Sequence, residues 1–134
     1  MGPFVHFDLT RDWARESGLV DVADAIALAD VTVDAENPAR ASVSNFTRHF
    51  APWAYLWAGY HFWRAVRLQS PESLGHALHS VQDAAAHGLL GLAHVRNDLN
   101  FGRDPDDWDA APERLKVFIR ERSLRLLRRY RDSV

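Results

Sequence analysis

The chain has 134 residues, 47% of them hydrophobic, which suits one domain with a single core. It has no cysteine, which excludes disulfide scaffolds and zinc–thiolate sites, so any metal ion has to be held by His, Asp or Glu. Residues 111–134 hold eight Lys and Arg against three Asp and Glu, whereas the net charge of the whole chain is −2, so residues 1–110 are strongly acidic. An acidic surface suits the binding of a cation and argues against broad nucleic-acid binding.

Apolar residues recur at spacings of three and four along most of the chain, which predicts an all-α fold. Capping residues, prolines and glycines set the expected boundaries of the first half. In chain order the predicted elements are a helix from an Asp8 N-cap to just before Gly18, a helix over about 21–33, a loop at Asn37-Pro38, a short turn over 45–50, and a helix from Pro52 to about Leu68.

The second half opens with Ser70-Pro71-Glu72, a cap, an N1 proline and an acidic first turn, which predicts the start of a fourth helix. Gly88 and Gly91 interrupt this helix, so residues 89–99 are a separate helix or a bent continuation. An acidic loop is predicted over 100–111, and a last, basic helix runs from Pro112-Glu113 to about Tyr130. The sequence thus predicts a single-domain bundle, 1–134, of about five to six helices.

One face of the fourth helix carries three imidazoles and a carboxylate. At 100° per residue, His79, Asp83 and His87 lie at about 0°, 40° and 80°, and His76 lies near 60°. The opposite face is apolar, so we expect this helix to sit centrally with its polar stripe turned inward. Nitrogen and oxygen donors of this kind suit zinc and similar divalent cations. The alternative is a set of hydrogen-bonded His–Asp pairs.

Other residues of the same chemistry lie outside this helix. His94 has Asp98 four residues later, and His6 is followed two residues later by Asp8. Asp30 lies in a helix rich in Ala, Val and Leu, where an unpaired carboxylate would be costly. These positions favour a shared metal site over isolated hydrogen-bonded pairs.

The order His79-x3-Asp83-x3-His87-x6-His94-x3-Asp98 resembles the zinc-dependent phospholipase C family and its relatives among the S1/P1-type nucleases. The phrase over 74–83, with the following Ala86-His87, is similar to the central helix of that family. Upstream, the family supplies its earlier ligands in an order matched by the residues His6, Asp30 and His49. The chain departs from the family in its first residue, which is not tryptophan, and in Asp98, where the family usually has Glu.

The resemblance implies a trinuclear cluster of zinc ions, or two ions if the third site is vacant, with iron or manganese as alternative metals. Carried over to this sequence, the implied ligands are Asp30, His49, His79 and Asp83 for one ion, His87, His94 and Asp98 for a second, and His6 with a bridging Asp83 for the third.

The activity that the resemblance implies is metal-dependent hydrolysis of a phosphoester, in a phospholipid, a nucleotide or a small phosphorylated metabolite. Asp83 would bridge the ions, and Asp30 or another acid would orient or deprotonate the attacking water. The alternative is a non-hydrolytic metalloprotein of the same fold, either a biosynthetic enzyme with different chemistry or a module that binds metal and a partner.

Aromatic residues crowd into the stretch 46–63, either as a core stripe or as the wall of a substrate pocket. Trp53, Trp57 and His61 share one helix face at four-residue spacing. His61 and His76, and with them Asp8, are predicted to support the metal ligands or to line the pocket, and direct ligation by either histidine is the alternative.

The sequence also predicts a cytoplasmic location. Residues 1–8 lack the basic region and the long apolar core of a signal peptide, and no apolar run approaches the ~18 residues that span a bilayer. Nothing in the sequence indicates an oligomeric state.

Overall fold

A central helix organises the fold. In the computed structural model, which describes residues 1–88, 92–93 and 104–134, the helices are α1 (Thr10–Glu16), α2 (Ala23–Glu36), α3 (Val43–His49), α4 (Trp53–Leu68), α5 (Pro71–His87) and α6 (Glu113–Ser133). A π-helical turn, Phe4–Leu9, runs directly into α1, and a 3-10 turn, Val20–Val22, precedes α2. No strand occurs in these described ranges, and the predicted all-α class is confirmed.

Helix α5 is the central helix, and thirteen of its seventeen residues are buried. It packs against α2, α4 and α6. Its apolar face supplies Leu74 and Leu78 to the core, where they join Ile26 of α2 and Leu127 of α6. The opposite, polar face is therefore also enclosed by protein, as the sequence predicts.

Helices α2 and α5 pack backbone against backbone at Gly75. A Cβ atom at this position would clash with the carbonyl oxygen of Ile26 and would lie 2.9 Å from the backbone nitrogen of Asp30. Only glycine fits against a backbone at that distance. The contact brings Asp30 of α2 beside His79, which lies one helical turn after Gly75 on α5.

Several predicted boundaries are wrong. Asp8 is not an N-cap, because the chain is already helical from Phe4 and the Asp8 side chain pairs with Arg11 at 3.5 Å. The stretch predicted as a short turn is the two-turn helix α3, because Ser42 caps it by accepting a hydrogen bond of 3.0 Å from the Asn45 backbone. Helices α2 and α6 also run further than expected, since nothing breaks them before residues 37 and 134.

Other boundaries are confirmed. Pro52 directly precedes α4, and Ser70 caps α5 by accepting a hydrogen bond of 3.1 Å from Ser73. Most of the predicted continuation over 89–99 lies outside the described residues. Of the helices that the structure describes, none combines the length and the apolar character needed to cross a bilayer. The cytoplasmic location stays a prediction.

Candidate metal centre

Five ionisable side chains are packed together in the interior, and all five are predicted ligands. They are at most 2% exposed and are His6, Asp30, His49, His79 and Asp83. They come from the N-terminal turn and from α2, α3 and α5. Burying charged groups is costly unless they pair with one another or hold a metal ion. The ionisable groups that these four chain segments bring together must therefore pair with one another or hold a metal ion.

Four ligand atoms, three from this group and one from the half-exposed Asp34, lie close enough together to hold one metal ion. His49 Nδ1 lies 2.7 Å from Asp83 Oδ2, 3.1 Å from His79 Nε2 and 3.6 Å from Asp34 Oδ1. His79 Nε2 lies 3.1 Å from Asp83 Oδ2 and 3.5 Å from Asp34 Oδ1. Corners about 2 Å from a zinc ion stand roughly 3.3 Å apart. The four atoms could thus hold one ion with little movement.

A hydrogen bond on the far side of each histidine ring determines which ring nitrogen faces the possible position of the metal ion. His49 Nε2 lies 2.7 Å from the carbonyl oxygen of Asn37, and His79 Nδ1 lies 2.9 Å from that of Asp30. A carbonyl only accepts, so each of these nitrogens carries a proton and donates it. The other nitrogen of each ring is left to ligate, which is the usual arrangement of metal-binding histidines.

His6 faces the same point from another side. Its ring stacks on that of His79 with centroids 4.2 Å apart, and its Nδ1 lies 2.8 Å from both Asp30 Oδ1 and Gln82 Oε1. His6 Nε2 is buried without a hydrogen-bond partner in the described part of the chain, 3.3 Å from Asp83 Oδ1. His6, Asp30 and His79 form a second group close enough to hold an ion.

Asp83 uses its two oxygens on different sides. Oδ2 faces His49 and His79, and Oδ1 accepts a hydrogen bond of 2.8 Å from the α-amino group of Met1. That amine also lies 2.7 Å from Asp106 Oδ1 and 3.1 Å from His87 Nε2. Asp83 therefore lies between two clusters of polar groups, as a bridging ligand would.

The charges in this region are strongly coupled. Burial lowers the pKa of His79, but Asp83 and Asp30 outweigh burial and raise that pKa to about 10. Burial raises the pKa of Asp83, but the Met1 ammonium and His79 outweigh burial, so that pKa lies well below its usual range. Without a metal ion, protons thus balance the buried carboxylates, and a bound cation would have to displace the proton on His79.

A cavity of about 360 Å³ gives access to these groups. Its polar lining includes Asp34, His49, Asp83, His87 and Asp106, and Phe50 and Ala39 form part of its apolar lining. The side chain of Asp34 is 49% exposed, whereas that of Asp83 is 1% exposed. A small molecule entering the cavity would therefore meet Asp34 before the deeper ligands.

Sequence reasoning missed Asp34, Asp106 and Gln82. Asp34 had a usable signal, because it lies four residues after Asp30 and so on the same helix face. Gln82 had a weaker one, since it precedes Asp83 on the central helix; it donates to Thr10 Oγ1 at 2.9 Å. Asp106 lies in a loop, where spacing carries no signal. His94 and Asp98, which were predicted to ligate beside His87, lie outside the described residues.

The residues predicted to support the ligands are placed elsewhere. The Asp8 side chain is 47% exposed and pairs with Arg11. His76 lies against His61 of α4, with ring centroids 5.2 Å apart. Trp53, Trp57 and His61 line a second cavity, and among the described residues this cavity shares no lining residue with the one at the candidate metal centre.

His61 predicts an acid-sensitive contribution to stability. Burial, together with the nearby His76 and the cations Arg48 and Arg64, lowers the pKa of His61 to about 4. The unfolded chain has an ordinary histidine pKa near 6.5 and so binds more protons than the folded protein between about pH 4 and pH 6.5. The unfolding free energy therefore decreases as the pH falls through that window. His61→Gln should flatten this loss by up to about 1.4 kcal/mol per pH unit in chelator-treated protein. Parallel curves of unfolding free energy against pH for the two proteins would contradict the prediction.

No family model, curated protein or solved structure matches the chain. The resemblance to the zinc-dependent phospholipase C family therefore stays a prediction.

Proposed function

We propose that this protein is a metal-dependent hydrolase of phosphoesters, with its metal ions held around Asp83. The observation that carries the proposal is the close set of Asp34, His49, His79 and Asp83, in which both imidazoles donate their remaining N–H to a backbone carbonyl. The two imidazole nitrogens left to ligate, His49 Nδ1 and His79 Nε2, lie 3.1 Å apart, as two ligands of one ion would.

The residues present fit zinc or a similar ion. Imidazole nitrogen and carboxylate oxygen are the donors that remain in a chain without cysteine. His6 Nε2, buried 3.3 Å from Asp83 Oδ1 and without a hydrogen-bond partner among the described residues, fits a further ligand. Asp83, with its two oxygens facing different clusters, suits a bridge between two ions. Iron and manganese use the same donors and are alternative metals.

The chemistry follows from the charge of this site. Divalent ions held a few ångströms apart clamp a phosphoryl group and bring the pKa of a bound water towards neutrality. Asp34, Asp83 and Asp106 line the cavity together with the Met1 ammonium, so bound cations would supply the further positive charge that a phosphoester needs. The cavity of about 360 Å³ suits the phosphoryl end of a phospholipid, a nucleotide or a small phosphorylated metabolite.

Asp30 acts on this site through the histidines. Its Oδ2 accepts a hydrogen bond of 2.7 Å from Thr10, and its Oδ1 lies 2.8 Å from His6 Nδ1 and 3.4 Å from His79 Nδ1. A carboxylate in this position fixes the orientation of both rings and increases their basicity. We therefore assign Asp30 to positioning His6 and His79, with direct ligation of an ion beside them and a general-base role as the alternatives.

A second candidate function is a metalloprotein that does not hydrolyse phosphoesters. The observation that favours it is the number of ligands, since four protein groups around one ion are typical of closed, structural zinc sites. The exposure of Asp34 argues for hydrolysis, because a half-exposed ligand can give way to water or substrate.

Two measurements on the purified protein test both functions. Elemental analysis after reconstitution is expected to find two to three zinc, iron or manganese atoms per chain. Turnover of nitrophenyl phosphate and bis(nitrophenyl) phosphate is expected in the loaded protein, with loss on chelation and recovery on adding the metal back. Phospholipid and nucleotide substrates then define the substrate class.

The outcomes separate the two candidates. Protein that binds metal tightly and is inert on every phosphoester would rule out hydrolysis and favour the structural role. Less than one metal atom per chain after reconstitution would rule out both, and would leave the buried cluster as a hydrogen-bonded network.

A further inference from the structure

A second cavity of about 580 Å³ lies on helices α3 and α4, apart from the metal centre. Its walls are aromatic, with Trp53, Trp57 and Tyr60 spaced along α4. Trp57 is held in place by a hydrogen bond of 2.9 Å from its Nε1 to Thr47 Oγ1. A largely apolar cavity of this size, with a few fixed polar groups, has the form of a site for a small organic ligand.

Two arginines line the same cavity. The Arg48 guanidinium lies 3.9 Å from the ring centroid of Trp57, and that of Arg64 lies 5.9 Å from the centroid of Tyr60. Arg48 Nε is buried and has no hydrogen-bond partner within the described ranges. The described arginines that pair with a carboxylate lie elsewhere, as in the bond of 2.7 Å from Arg120 to Glu16.

His61, which also lines this cavity, adds no negative charge. His61 lies 3.4 Å from Arg48 Nη1 through its Nε2 and stacks on Trp57 with centroids 5.7 Å apart. Because an arginine only donates, His61 accepts at Nε2 and is neutral. The charge facing the cavity is therefore positive, and the described part of its lining contains no acidic residue.

We propose that this cavity binds a planar aromatic carboxylate, with its ring against Trp53 and Tyr60 and its carboxylate on Arg48 and Arg64. Two oxygens of a carboxylate match the paired N–H groups of a guanidinium, and such charge-assisted hydrogen bonds are stronger than neutral ones. The aromatic lining favours a flat apolar body over inorganic phosphate. This site does not depend on the proposed hydrolase activity.

Calorimetric titration with naphthoate and with its neutral counterpart naphthamide tests the proposal on the full chain. The two probes differ in charge and share their ring. Naphthoate is expected to bind at least about tenfold more tightly, and Arg48→Met and Arg64→Met are each expected to weaken it about tenfold. Arg67→Met, at an exposed position of α4 outside the cavity, should leave affinity unchanged.

Chelation separates this site from the metal centre, since carboxylates also bind metal ions. Naphthoate affinity is expected to persist after metal removal, and the metal content of Arg64→Met should equal that of the parent. Loss of binding on chelation, equal affinity for the two probes, or full affinity in both arginine variants would overturn the proposal. If Arg48→Met fails to fold because it adjoins His49, Arg64→Met alone decides.

Discussion

The Asp83→Asn variant is expected to bind metal more than about 100-fold more weakly than the parent and to lose metal-dependent phosphoester hydrolysis. Replacing outer partners of metal ligands costs about 10- to 100-fold in affinity, and replacing a shared ligand should cost more. Asparagine keeps the volume but removes the charge that faces His49 and His79 at 2.7 and 3.1 Å. Metal titration by calorimetry and turnover of bis(nitrophenyl) phosphate measure the two losses.

The same variant should also destabilise the metal-free protein. Breaking a buried charge pair from one side typically lowers the unfolding free energy by about 3–5 kcal/mol, because the remaining charge is left without a partner. Asp24→Asn is the matched control, since Asp24 is 74% exposed and pairs only at the surface with Arg15. Parent-like metal affinity in Asp83→Asn would contradict the assignment of Asp83 as a ligand. Equal losses in the two variants would show that the effect is not specific to the site.

The sequence predicted the polar face of α5 because helical periodicity alone determines it. His79, Asp83 and His87 follow at four-residue steps, and the enclosing helices bury them to 4% exposure or less. Periodicity shows which residues share a face of a helix, but it does not show which other element each turn of that face contacts. His76 lies on the same stripe, yet it is one turn nearer the start of α5 and meets His61 of α4.

Errors in helix boundaries limited the rest of the site. The predicted second helix ended at Val33, so Asp34 lay outside it. Helix α2 in fact continues to Glu36 and places Asp34 one turn beyond Asp30. Asn37-Pro38 is the first strong break, and the helix ends there. Asp106 could not be predicted, because a loop residue reaches the cluster through tertiary folding, which local spacing does not encode.

The Gly75→Ala variant should show that the close contact of α2 with α5 sets the geometry of the metal centre. Its new Cβ would clash with the Ile26 carbonyl, and this contact with backbone cannot be relieved by moving a side chain. Overpacking of this kind lowers the unfolding free energy by about 1–3 kcal/mol and sometimes more. Moving α2 away would also lengthen the hydrogen bond of 2.9 Å from His79 Nδ1 to the Asp30 carbonyl. We therefore expect metal affinity to fall by roughly 10- to 100-fold.

Gly59→Ala is the matched control, because it makes the same change in a helix interior where a Cβ would meet nothing within 4 Å. There the substitution should raise the unfolding free energy by about 0.5–1 kcal/mol through helix propensity alone, with metal affinity unchanged. Denaturant unfolding and metal titration of both variants give the comparison. Both variants add one methyl group to a helix, and they differ in what that group meets. If Gly75→Ala were as stable as Gly59→Ala and bound metal equally well, the spacing of α2 and α5 would not position His79.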